Sequence, residues 1–174
     1  MPQLVALSLS IAVLGAIWAF LALGPLTGFV LVWAGFIAWG CYFHTGGDNN
    51  ALVKTIAGTV YGAVVGWIAL LIIVHVPIAA AGAVWPAIVV GATVFCLVIV
   101  ASIEPLSTVP ANVYGYAAIV GYSLHQPSAL QQLGVANFTN PLILLIVSLV
   151  VGAVFGYVSG QMASALTKSV ATKA

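Results

Sequence analysis

The sequence predicts an all-α membrane protein: six transmembrane helices forming two inverted three-helix repeats, with both termini on the cytoplasmic side. Three observations lead there. Hydrophobic residues make up 64% of the 174-residue chain and charged residues 3%, whereas a water-facing surface needs roughly a quarter of its positions charged. The apolar residues fall into long uninterrupted stretches, and one crossing takes about 20 of them. Gly62-Ala63-Val64-Val65-Gly66-Trp67 is answered by Gly152-Ala153-Val154-Phe155-Gly156-Tyr157, 90 residues later.

The spans follow in order. Residues 4–23 form the first; no Lys or Arg precedes the apolar run, and it is long for a signal-peptide core, so it reads as a retained span. The second, 28–44, is short, follows Pro25 and ends at His44. The third, 52–75, is entered through Asn49-Asn50-Ala51, where an Asn side chain suits a helix cap. Residues 84–103 make the fourth. The fifth, 110–125, is short like the second; it follows Pro105 and Pro110 and ends at His125. The sixth, 140–164, is entered through Thr139-Asn140-Pro141, with proline suited to the first helical position. Residues 165–174 form a short polar tail to this single membrane domain, whose repeats are 4–75 and 84–164. With six spans, Lys54, Lys168 and Lys173 all fall on one side, which the positive-inside rule makes cytoplasmic.

The repeat has a register. Trp33, Gly40 and His44 match Tyr114, Gly121 and His125 at an offset of 81, and Asn50 matches Asn140 at 90. Each half holds three spans, so the second enters the membrane inverted, related to the first by a pseudo-two-fold axis in the membrane plane. Gly58, Gly62 and Gly66, and Ser148, Gly152, Gly156 and Gly160, recur every four residues along one helix face. In lipid, close backbone approach supplies the packing, so both stripes read as helix-packing seams, within the subunit or between subunits.

Chemistry is then sought in the short second and fifth spans, because shortened or Pro-interrupted spans at matching places in two halves mark transport sites. Segments 24–28 and 104–112 are candidate breaks or re-entrant elements. The candidate solute path is His44, Asn50, His125, Asn140, Glu104, Trp33 and Tyr114. Each has a plainer reading: interfacial for the histidines, helix capping for the asparagines, a surface carboxylate for Glu104. Cys41 and Cys96 read as small apolar fillers.

The chain has no Arg and no HExxH, CxxC or GxSxG motif, so neither an enzyme, a metal centre nor a cofactor is expected. Nucleic acid is not an expected partner. A lining of backbone, Asn, Ser, Thr, Tyr, Trp and His suits a small neutral or weakly charged polar solute such as urea, an amide or ammonium. The expected function is a small channel or facilitator, partnered by the lipid bilayer and self-associated as a homo-oligomer (a trimer by analogy with other small-solute channels). The competing class is a non-transporting scaffold or accessory subunit.

Ile17-Trp18, Trp33-Ala34-Gly35-Phe36, Tyr42-Phe43 and Gly46-Gly47, followed by Val109-Pro110, Gly115 and Gly152 to Gly156-Tyr157, resemble the YcdZ-like bacterial inner-membrane family, over nearly the whole chain. That family is a domain of unknown function. The resemblance implies a bacterial inner-membrane location and assigns no functional residue.

Overall fold

Six α-helices account for most of the chain: α1 (Gln3–Leu23), α2 (Val32–His44), α3 (Asn49–His75), α4 (Val84–Ile99), α5 (Val109–His125) and α6 (Pro141–Ala171). The structure, a computed structural model, describes residues 1–126 and 128–171. No β-strand occurs among them. The side chain of Lys168 and the whole of Lys173, which carry part of the orientation argument, lie outside the described set.

Four stretches are long and apolar enough to cross a membrane: Gln3–Leu23, Asn49–His75, Val84–Ser102 and Pro141–Thr167. The other two helices are not. α2 has 13 residues and α5 has 17, about 20 and 26 Å at 1.5 Å per residue, against a hydrocarbon core about 30 Å thick.

Local chemistry sets the boundaries. α2 begins at residue 32, not 28, because 24–31 is a chain of turns in which Gly28 takes φ +85°. α3 begins at Asn49 rather than 52. Its cap is Asp48, not the neighbouring asparagines: the Asp48 carboxylate accepts from Ala51 N–H at 2.7 Å. Gly46 and Gly47, both at positive φ, turn the chain into that cap. α3 stops just before Pro77, which disfavours helical backbone at Val76. α4 gives way to 3-10 turns at Val100–Ser102 and Glu104–Leu106. α6 runs on to Ala171, so the expected polar tail from 165 is largely helical.

The irregular segments are tied down by side chains from distant helices, as non-helical backbone in an apolar environment must be. Leu31 N–H donates to Ser148 Oγ at 2.8 Å, and that hydroxyl donates onward to the Leu144 carbonyl. At the end of α4, the Cys96 carbonyl accepts from Tyr61 Oη at 2.9 Å. The Leu97 and Leu106 carbonyls accept from Asn112 Nδ2 at 3.2 and 3.1 Å. In the long 126–139 connection, the Leu133 carbonyl accepts from both Trp67 Nε1 and Asn140 Nδ2.

Packing follows a crossed pattern. α3 packs most extensively on α5, and α6 on α2. α4 leans on α3, α1 leans on α6, and α3 meets α6 at the centre. The small-residue stripes make these contacts possible. A methyl on Gly62 would overlap the Asn112 carbonyl oxygen, and one on Gly152 would overlap the Gly35 carbonyl. Gly58 abuts Ala111 and Asn112, and Gly66 abuts Ile119. Gly156 lies against Trp39 and Tyr42, and Gly160 against Tyr42 and Phe43. Both stripes therefore face partners inside the subunit.

Candidate functional site

α2 and α5 touch only lightly. Held apart by the two central helices, they enclose a cleft of about 760 Å³. Five positions of α2 and six of α5 line it. Trp33, Phe36, Ile37, Gly40 and Cys41 lie on α2; Tyr114, Ala117, Ala118, Gly121 and Tyr122 lie on α5. Every α2 position has its α5 counterpart 81 residues on, the register read from Trp33/Tyr114 and Gly40/Gly121. His125, which ends α5, and Gln126 extend the lining at one end.

Two glycines hollow the cleft. A Cβ on Gly40 or Gly121 would meet nothing within 4 Å, the opposite of the seam glycines. Aromatic rings close the ends. Trp33 and Tyr122 have centroids 6.5 Å apart with planes inclined by 32°. At the far end His44 meets Tyr114 edge-on, centroids 6.3 Å apart. The cleft opens sideways, where Trp33, Phe36 and Ile37 are exposed.

The polar groups here are few. No Asp, Glu or Lys among the described residues lines the cleft. His125 Nδ1 lies 2.8 Å from the Gly121 carbonyl. A carbonyl only accepts, so Nδ1 carries a proton and donates this bond, which leaves Nε2 as the free ring nitrogen. Tyr42, Tyr61 and Tyr116 place their hydroxyls on protein partners. Tyr114 and Tyr122 make no such bond among the described residues, nor do Trp33 Nε1 and the Gln126 amide, which leaves these groups and His125 Nε2 for a visitor.

Of the seven path residues expected from sequence, the structure brings Trp33, Tyr114 and His125 into this cleft and sets His44 beside Tyr114. It does not bring Asn50, Glu104 or Asn140 there. Glu104 is exposed and pairs with Lys54, Nζ to Oε1 at 2.9 Å. The Lys54 ammonium holds its carboxyl below the usual range, with a smaller contribution from Asn50. These three residues form a surface clasp between the start of α3 and the α4–α5 connection. Asn140 is buried and fully engaged: Nδ2 bonds the Leu133 and Val135 carbonyls at 3.0 and 2.8 Å, and Oδ1 caps Leu142 N–H at 2.9 Å. Its role is to pin the 133–140 segment onto the head of α6.

Sequence reasoning passed over Phe36, Ile37, Cys41, Tyr122 and Gln126. The signal was available. Positions 33, 36, 37, 40, 41 and 44 form one helical stripe, and the offset of 81 carries that stripe onto α5. A second, smaller cavity of about 470 Å³ lies where Gln3 and Leu7 of α1, the Gly46-Gly47 turn and Ser164 and Thr167 of α6 meet.

Apolar helices of membrane-crossing length, carrying short helices that frame a lateral cleft, define a small polytopic α-helical membrane protein. The chain belongs to the family described as protein of unknown function (DUF1097), whose profile matches residues 8–164. No curated protein matches it, and no solved structure does.

Proposed function

We propose that this protein is a small membrane facilitator for uncharged solutes, with the α2/α5 cleft as the solute site. The observation that carries the reading is the lining itself, drawn at matched positions from both halves of the chain. Transport folds built from inverted repeats place their sites at such an inter-repeat boundary, on discontinuous or shortened helices.

Six crossings in two inverted halves complete the proposal. The irregular segments before α2 and α5 supply the length those helices lack. Exchanging α1, α2 and α3 for α4, α5 and α6 turns the contact of α3 with α5 into that of α6 with α2, and the contact of α4 with α3 into that of α1 with α6. The observed packing contains both members of each pair. With Lys54 beside the 45–48 turn taken as the cytoplasmic side, both termini are cytoplasmic. The resemblance to the YcdZ-like family supports a bacterial inner membrane, and self-association to a homo-oligomer is part of the proposal.

Proteoliposomes and stopped-flow light scattering test it. Flux of urea, short amides or larger uncharged amides should exceed that of protein-free vesicles and fall when the cleft is filled by Gly121→Leu. Flux equal to that of protein-free vesicles for every solute overturns the facilitator and leaves a non-transporting scaffold.

A further inference from the structure

We infer that the α2/α5 cleft binds an uncharged, planar aromatic molecule with a hydrogen-bonding edge group, of the benzamide class. This deepens the facilitator reading, on which it rests for its location, and narrows the solute from urea-sized molecules to ring-bearing ones.

Size comes first. A cavity of about 760 Å³ falls within the roughly 300–1,000 Å³ range of sites that hold multi-ring organic ligands. Size therefore admits a ring-bearing ligand with room to spare, and the chemistry of the lining is what decides against a urea-sized solute. Such a solute needs hydrogen-bonding partners around its whole perimeter, because a polar group desolvated without a partner costs free energy. Apolar faces dominate this lining, with Trp33, Phe36 and Ile37 along one wall.

Shape and chemistry agree. Trp33, Tyr114 and Tyr122 offer ring faces and edges, and aromatic ligands gain from tilted or offset contacts beyond the area they bury. The space left by Gly40 and Gly121 lets a flat molecule reach the floor of the cleft. Polarity is confined to a few points: the Tyr114 and Tyr122 hydroxyls, the Trp33 indole N–H, the Gln126 amide and His125 Nε2. An amide edge supplies donors for the imidazole nitrogen and an acceptor for a hydroxyl. An ionised ligand finds no Asp, Glu or Lys as countercharge among the described residues that line the site. A lipid acyl chain matches the apolar wall but offers these polar groups no partner.

The lateral opening fits the same class. An uncharged aromatic amide partitions into the bilayer and reaches the exposed Trp33–Phe36 edge from within it, with no aqueous vestibule required.

The test uses the full-length protein in nanodiscs and 4-fluorobenzamide as the probe, read by ¹⁹F line broadening against empty nanodiscs. Saturable broadening is expected, reversed by benzamide but not by equal acetamide. Trp33→Ala and Gly121→Leu should each weaken it by about tenfold or more, with unchanged gel-filtration and melting profiles. Trp85→Phe, outside the cleft, should leave it unchanged. Broadening no greater than in empty nanodiscs overturns the inference, as does broadening that survives both cleft variants. Equal competition by acetamide overturns the ring requirement, and displacement by laurate at matched concentration assigns the cleft to acyl chains. Binding without flux preserves the site and refutes the facilitator; urea flux without aromatic binding does the reverse.

Discussion

Replacing Gly62 or Gly152 with alanine tests the packing argument at its tightest points. At Gly62 the new methyl would overlap the Asn112 carbonyl oxygen and come within 2.8 and 2.9 Å of Asn112 C and Tyr116 N. At Gly152 it would overlap the Gly35 carbonyl and come within 2.6 Å of its carbon. These neighbours are backbone, so no rotamer change relieves the clash; α5 or α2 must move away. Overpacking costs about 1–3 kcal/mol where side chains can adjust, and the upper end applies here. Gly91→Ala is the matched control: a Cβ there meets nothing within 4 Å. Its effect reduces to the helix preference for alanine, about 0.5–1 kcal/mol in the stabilising direction. The seam variants and the control should thus differ by about 2–4 kcal/mol, several degrees in melting temperature by the scaling for chains of this size. Thermal melts of detergent-purified protein, followed by tryptophan fluorescence, give the readout. If Gly62→Ala and Gly152→Ala melt at or above Gly91→Ala, the claim of backbone contact across the seams is refuted.

Two further outcomes follow from groups that sequence reading placed on the solute path. Asn140→Ala removes two bonds to backbone carbonyls and one helix cap. At about 1 kcal/mol for each bond or cap, it should cost about 2–4 kcal/mol in melts while flux per folded molecule stays at the wild-type level. Glu104 has its pKa lowered by Lys54. Its contribution is therefore present above the unfolded value, about 4.3, and is lost as pH falls through the lower folded value. Wild-type melts should lose an increment on acidification below about pH 4.3 that Glu104→Gln lacks, and the two should converge in high salt because the pair is exposed.

Helix type and order were legible because lipid solvation leaves its mark on composition, and α1, α3 and α4 begin close to where hydropathy puts them. The second span was read too long. Hydropathy does not register Gly28 at positive φ or a turn whose N–H is met by Ser148, more than a hundred residues away. Glu104 was read as a candidate for the path because its partner, Lys54, is invisible at that separation. Part of the cleft was visible in Trp33, Tyr114 and His125, and His44 was placed beside it. Phe36, Ile37 and Tyr122 were not, since an aromatic or aliphatic residue on a span looks the same facing lipid or a cleft. What separates the two is the gap between α2 and α5, and that gap is set by glycines on two other helices.

The crossed packing has a consequence for how the chain is made. When α3 leaves the ribosome, the surface it needs does not yet exist: α5 begins at Val109, more than thirty residues after α3 ends at His75. Until then the glycine face of α3 has only lipid to meet. The same holds for α2, whose partner α6 is the last helix made. The first half is thus held open during synthesis, and its two main seams close only as the second half arrives. Assembly is therefore late and ordered, α3 closing on α5 before α2 closes on α6, and each half acts as the template on which the other finishes.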